Sequence, residues 1–304
     1  MAFTAKDVQN LREITGVGMM DCKKALTETD GDVDKAIAYL REKGLAAAAK
    51  KAGRVAAEGV VCALVDAANG RGAIVEVNSE TDFAAKSDLF QAFVRGVAEA
   101  VLKQNPADLA GLLAAPFEGA ASVEEALREK VLTIGENLQI RRFEVFPAPL
   151  NLAYVHMGGK IGVLVNLKVS DSVKDDPRVA ELGRDVAMQA AAMRPQWLKS
   201  EDVDTAALEN EKVIYLNQAL AEGKPQAVAE KMVAGRISKF FSETCLLSQA
   251  FVKENKLTVA QHVAAVAKEL GGEIEVTRFV RFEKGEGIAK REDNFADEVA
   301  KMVK

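Results

Sequence analysis

Apolar residues recur at helical spacing through the first forty positions. Val8, Leu11 and Ile14 or Thr15 share one face behind Thr4, which is placed to cap a helix with Asp7 at its third position. Gly16-Val17-Gly18 predicts a break, because glycine takes the positive φ of a helix C-terminus freely. Met19 to Leu26 predicts a second helix. Asp30-Gly31-Asp32 ends it and caps a third, with Val33, Ile37 and Leu40 on one face. Three such helices predict a bundle near the lower size limit for independent folding. The Ala- and Lys-rich stretch 46–57 predicts a linker, with Lys50, Lys51 and Arg54 as solvated charges.

Beyond it the period shortens to two. Val60 to Val65 alternates, Asn69-Gly70 is a hairpin signal, and Gly72-Ala73-Ile74-Val75-Glu76-Val77-Asn78 returns as the partner strand. A long amphipathic helix is expected next, with Phe83, Phe90, Phe93, Val94, Val97 and Val101 among its apolar positions. A Pro- and Gly-punctuated loop over 104–121 and a second helix lead to a strand from Ile140 to Phe146. The order then recurs: a strand from Leu152 to Met157, a turn at Gly158-Gly159, and a return strand from Gly162 to Lys168. Both copies close on Arg-Phe-x-x-Phe, at Arg142-Phe143-x-x-Phe146 and Arg278-Phe279-x-x-Phe282. The second copy is the longer. Its surplus reads as two helices, Leu208, Tyr215, Leu216 and Leu220 marking the first and Val228, Met232, Val233, Ile237 and Phe240 the second. Gly223-Lys224-Pro225 joins them so tightly that they must pack antiparallel. Phe295, Val299 and Met302, behind a cap at Asp293 or Asn294, predict a terminal helix whose apolar stripe needs a surface. The expected class is α+β. A three-helix bundle (1–50) precedes a duplicated antiparallel sheet-plus-helix core (51–150 and 151–283), with a helical hairpin inserted at about 205–241 and a C-terminal helical module at 284–304.

Charge and chemistry narrow the function. The 304 residues carry a net charge of −5 with both signs interspersed, which argues against a nucleic-acid groove. No run approaches the ~20 apolar residues of a membrane helix, and the start lacks the apolar region of a signal peptide, so a cytoplasmic protein is expected. Cys22, Cys62 and Cys245 are far apart and read as reduced thiols. The two histidines, His156 and His262, fall in no ligand pattern; a structural role is expected for His262 on a helix and a half-buried ring for His156 on a strand. Glu124-Glu125 and Asp175-Asp176 read as helix-start or surface charges. Gly16-Val17-Gly18 lacks the third glycine of a dinucleotide loop and follows a helix, while Gly159-Lys160 and Gly223-Lys224 lack Walker A spacing. No catalytic residue, metal site, cofactor or nucleotide site of its own is expected. A general interaction scaffold and an unrecognised carboxylate or metal enzyme stay as alternatives, the latter disfavoured by scarce histidine.

Two segments carry a family resemblance. Leu11 to Leu26 with Gly31-Asp32 resembles the ubiquitin-associated-like bundle of elongation factor Ts, and Glu76-Val77-Asn78-Ser79-Glu80-Thr81-Asp82-Phe83-Ala84-Ala85-Lys86 resembles that family's Thr-Asp-Phe-Val-Ala-Lys signature. Ile134-Gly135-Glu136-Asn137, Lys160 to Val165, Gly223-Lys224-Pro225 and Gly285-Glu286-Gly287-Ile288 follow in the family's order. The resemblance implies binding to elongation factor Tu and faster release of its GDP, with Thr81, Asp82, Phe83 and Ala84 intruding beside the partner's Mg²⁺ site. It implies contacts to the GTPase domain from Val17, Gly18, Met19 and Met20, and to later domains from Tyr154-Val155-His156; Phe295, Val299 and Met302 are further candidates. A weak homodimer or a 2:2 complex stays open. Spacing alone gives blander expectations: Thr81 or Asp82 caps a helix, Phe83 packs in its first turn, and one of Met19 and Met20 joins the bundle core. Where the family has Val, this chain has Ala84, a smaller contact surface.

Overall fold

The computed structural model describes residues 3–289. Its first three helices are α1 (Ala5–Thr15), α2 (Met19–Glu28) and α3 (Val33–Lys51). Thr4 and Asp7 close a reciprocal capping box on α1, and Gly16, at φ 67°, ends it by donating its N–H to the Arg12 carbonyl. Asp32 caps α3 by accepting from the Lys35 N–H. Leu11, Cys22, Ala25, Leu26 and Ala36 meet in a fully buried core. The sequence predicts a linker from residue 46, yet α3 runs on to Lys51, since alanine and lysine favour helix. That extension has a surface to lie on. Leu132 of α7 (Val123–Ile134) packs against the bundle core, and Lys51 donates to the Val131 carbonyl at 3.4 Å.

The first core copy runs β1 (Glu58–Asp66), β2 (Arg71–Ser79), α4 (Asp82–Lys86), α5 (Asp88–Gln104), α6 (Leu109–Ala114), α7 and β3 (Gln139–Phe146), with the antiparallel sheet ordered β1-β2-β3. The second runs β4 (Asn151–His156), β5 (Ile161–Val169), α8 (Pro177–Met193), α9 (Thr205–Ala221), α10 (Gln226–Thr244), β6 (Ala250–Phe251), β7 (Glu254–Thr258), α11 (Val259–Leu270) and β8 (Ile274–Glu283), with its main sheet ordered β4-β5-β8. The duplication extends to register. Gly72 pairs with Phe146 and Gly162 with Phe282, and each sheet shifts register after the same position, Glu76 in one and Asn166 in the other.

Each sheet buries one face under its own helices, Phe90, Phe93 and Val97 filling the first core and Leu182, Val186 and Leu246 the second. A third cluster lies between the sheets: Val61, Ala63, Ile74, Phe146, Leu164 and Phe282. Gly72 faces Leu164 and Gly162 faces Val61, so closely that added Cβ atoms would lie 2.9 and 2.4 Å from those side chains. The closing strands exchange cations: Arg142 lies over the Phe282 ring and Arg278 over the Phe146 ring, each at 4.2 Å.

The α+β class stands, with several local departures. The expected long helix after β2 is split at Ser87 into α4 and α5. The predicted loop 104–121 holds α6, whose Leu112 is buried, and Phe117 packs against Phe93 with ring centroids 5.8 Å apart. The β6–β7 hairpin has no clear sequence signal. The α9–α10 hairpin forms where expected, capped by Asp204 and turned at Gly223 (φ 77°), with Ala219, Ala229 and Ile237 as its buried residues. His262 is structural as expected, stacked 4.2 Å from the Phe251 ring. The expected stripe of Phe295, Val299 and Met302 lies outside the described residues.

Candidate functional site

The junction between β2 and α5 is built to hold one aromatic side chain outward. Thr81 caps α4 by accepting from the Ala84 N–H at 3.2 Å. Ser87 ends it, donating to the Ala84 carbonyl at 2.7 Å while accepting from the Phe90 N–H as the cap of α5. Gln91 adds a bond to the Ala85 carbonyl at 2.6 Å. Ala84 and Ala85 take the inward positions of this single turn and are buried. Phe83 is therefore left on the outer side, 83 % exposed. This corrects two expectations: Phe83 does not pack in the first turn, and Ala84 faces its own protein rather than offering a contact surface. Asp82 pairs with Lys86 at 2.6 Å, and that hydrogen bond holds its carboxyl below the usual range.

The junction is clamped from beneath by residues to which sequence reasoning gave no role. One oxygen of Glu136 accepts the N–H groups of Glu80 and Thr81, both at 3.0 Å, while the other accepts the Thr81 hydroxyl. Glu80 in turn accepts from the Asn137 N–H at 2.6 Å, and buried Asn137 donates to the Arg54 carbonyl at 2.7 Å. Gly135, left-handed at φ 85°, turns the chain after α7 so that these two residues face the junction. The usable signal was the Ile134–Asn137 motif itself, a helix stop followed by an acid and an amide. One further tie lies deeper. Glu76 is fully buried and accepts from Arg141 (3.0 Å), Arg142 (2.6 Å) and the Gly285 N–H (2.7 Å), joining β2 to the exit of β8.

The remaining candidates sit on other elements. Val17 is 4 % exposed and belongs to the bundle core, while Gly18 caps α2 without a side chain. Met19 and Met20 are both exposed, Met20 at 74 %, so neither fills the core as spacing suggested; Cys22, Ala25 and Leu26 occupy the inward face of α2 instead. His156 is exposed rather than half-buried, and its Nδ1 lies 2.9 Å from the Tyr154 hydroxyl. The structure thus gathers Thr81, Asp82 and Phe83 over Glu136 and leaves the Met19–Met20 and Tyr154–His156 patches on α2 and β4. Among the described residues no three metal-ligating side chains converge, and no helix is long and apolar enough to cross a membrane.

A duplicated α+β core that holds an aromatic turn outward over a half-buried polar clamp is the class of structure this sequence builds. A family model described as Elongation factor TS matches residues 80–286, a span that holds this turn, its clamp and both closing strands. Curated relatives called Elongation factor Ts match along the whole chain. That of Clostridium perfringens is 52 % identical over 302 residues, covering 99 % of each chain. That of Trichlorobacter lovleyi is 50 % identical over 305 residues, covering 99 % of this chain and 98 % of its own. That of Clostridioides difficile is 50 % identical over 303 residues. The chain belongs to the elongation factor Ts family, a family of translation elongation factors.

Proposed function

We propose that the chain is a guanine nucleotide exchange factor that binds elongation factor Tu·GDP, disturbs its Mg²⁺ and phosphate site, and releases GDP so that GTP can bind. It acts in the cytoplasm during translation elongation and makes or breaks no covalent bond. The observation that carries this reading is Phe83, an aromatic ring 83 % exposed on a turn that Glu136 and Ser87 hold rigid. An exposed ring is poorly hydrated, and burying it against a partner returns roughly 25 cal/mol per Å². Because the turn is already ordered, little of that is lost to immobilising it on binding.

In a P-loop GTPase, backbone N–H groups cradle the phosphates and Mg²⁺ neutralises their charge. A wedge that separates those elements weakens nucleotide binding without supplying chemistry. Phe83 is the wedge in this reading, and Asp82, paired with Lys86, keeps the helical turn in shape. Met19 and Met20 supply an adaptable apolar surface on what we read as a ubiquitin-associated-like bundle, and His156 a second docking point. Coupling is reciprocal: factor and nucleotide weaken each other's binding by the same ratio, so exchange speeds equilibration without choosing GDP or GTP.

Release of a fluorescent GDP analogue from elongation factor Tu, with and without this chain, tests the reading. A concentration-dependent acceleration that Phe83→Ala weakens about a hundredfold is the expected result. No acceleration by the folded chain would leave an interaction scaffold in its place.

A further inference from the structure

We propose that Asn137 is a positioning residue for exchange. By tying the Phe83 turn to the stem of the N-terminal bundle, it makes the Met19–Met20 patch and the Phe83 ring one rigid two-point surface. The inference rests on the exchange-factor reading and deepens it, since that reading treats the two patches separately. The stretch whose composition predicts a linker is a strut instead. Lys51, at the end of α3, donates to the Val131 carbonyl at 3.4 Å, and the Arg54 carbonyl accepts from the Asn137 amide at 2.7 Å. The Arg54 guanidinium pairs at 3.4 Å with the same Glu80 oxygen that accepts the Asn137 N–H at 2.6 Å. Arg54, Glu80 and Asn137 thus close a ring. Within it Asn137 is 4 % exposed and bonded through both its amide and its backbone.

α7 is the beam that carries both ends. Glu125 on it pairs with Arg41 of α3 at 3.4 Å, and Leu132 packs against the bundle core. A Cβ on Gly44 of α3 would lie 3.6 Å from the Arg128 carbonyl. A Cβ on Gly16, which leads into Val17-Gly18-Met19, would lie 3.7 Å from the Thr133 methyl. At its far end Gly135 turns the chain into Glu136 and Asn137. The methionine patch and the aromatic turn are therefore mounted on one helix.

A rigid mount changes the energetics of binding at two points. Once one contact has formed, a second on the same rigid body closes intramolecularly, at a high effective concentration. A loose joint dilutes that second contact and must be ordered as it forms. Glu136 and Asn137 divide this work. Glu136 shapes the turn itself, through the Glu80 and Thr81 N–H groups and the Thr81 hydroxyl. Asn137 fixes where the shaped turn stands relative to the bundle. Removing its amide leaves the Glu136 bonds in place, so the wedge stays formed while its spacing from the methionine patch is freed.

Asn137→Ser, too short to reach the Arg54 carbonyl, and Met20→Ala test this in the full chain, singly and together. The measurement is release of a fluorescent GDP analogue from elongation factor Tu. Each single change should raise the half-saturating concentration about tenfold and leave the rate at saturation unchanged. The double variant should be no more than about threefold worse than either single one, because either change alone already breaks the two-point grip. Residues that act independently multiply their fold-changes, so a rise of about a hundredfold in the double variant overturns the inference. So does an unchanged half-saturation in either single variant. A fall in the saturating rate alone also overturns it, by making Asn137 a part of the clamp and nothing more. Lys51→Met loosens the strut at its other tie and keeps the test decisive should Asn137→Ser fail to fold. Combined with Met20→Ala it should show the same shortfall, and full multiplication there overturns the inference too. If the unaltered chain fails to accelerate release, the exchange-factor reading falls and takes this one with it. Acceleration by the unaltered chain with multiplying variants sinks only the coupling.

Discussion

The two core copies solve the same junction in opposite ways. In each, the central strand hands over to a helix, and in each the hand-over is fastened by the segment that precedes the closing strand. In the first copy that segment supplies Glu136 and Asn137, and the junction turns Phe83 into solvent. In the second it supplies Gly272 and Glu273. Ser170 donates its N–H to the Glu273 carbonyl at 3.0 Å and accepts the Glu273 N–H on its hydroxyl at 3.0 Å, while Val173 is buried against Gly272. Asp176 and Pro177 then start α8 directly. A common scaffold thus leaves the direction of one apolar side chain as the functional variable. Folding is served by Val173 and, in our reading, binding by Phe83.

The comparison can be broken at several points. The largest effect is expected at Glu76, whose removal leaves Arg141 and Arg142 without their buried partner. Glu76→Ala should lower unfolding free energy by about 3 kcal/mol or more in a urea titration. Asn166→Ala, at the matching bulge of the second copy, should cost about 1–3 kcal/mol; equal losses would remove the asymmetry between the copies. Next come the junction residues themselves. Phe83→Ala should slow GDP release about a hundredfold while changing stability by no more than about 0.5 kcal/mol. Val173→Ala should do the reverse, costing about 1–3 kcal/mol in thermal unfolding and sparing exchange. A stability loss at Phe83, or an exchange defect at Val173, would undo the division of roles. Glu136→Ala, which removes the acceptor beneath the junction but leaves Phe83 in place, should reduce exchange by about tenfold. Wild-type rates in that variant would mean that rigidity contributes nothing. The smallest effect concerns Asp82. Its carboxyl is held low by Lys86, so the pair contributes above the ordinary carboxylate range and is lost as pH falls through the lowered value. Lys86→Ala should move the Asp82 titration upward, as read by carboxyl NMR shifts.

Where a feature depends on neighbours in sequence, it was legible beforehand. The Thr4 capping box, the Asp32 cap, the Asn69-Gly70 turn and the repeated Arg-Phe-x-x-Phe strands are all local or periodic, and each appears where expected. The orientation of Phe83 was not. It shares an apolar stripe with Phe90 only if one helix runs through both, and Ser87, a cap inside a run of helix-forming residues, resets the phase. Ser87-Asp88 was a readable start signal that the surrounding apolar pattern concealed. The Glu136 clamp bridges residues more than fifty positions apart, beyond anything spacing can report. One of Met19 and Met20 reads as core until Cys22, Ala25 and Leu26 are seen to fill it. Of the candidate site, the segment was legible from family resemblance; its outward direction and its support required the fold.

The reciprocal stacking of Arg142 on Phe282 and Arg278 on Phe146 has a consequence for how the chain holds together. Partners exchanged in this way are the mark of an isologous interface, the kind that relates two subunits about a two-fold axis, here contained within one polypeptide. The covalent link between the halves, near Pro147-Ala148-Pro149, then serves mainly to raise their effective concentration. A chain nicked there keeps both complementary faces, and its two fragments should associate as a heterodimer whose stability depends on their concentration.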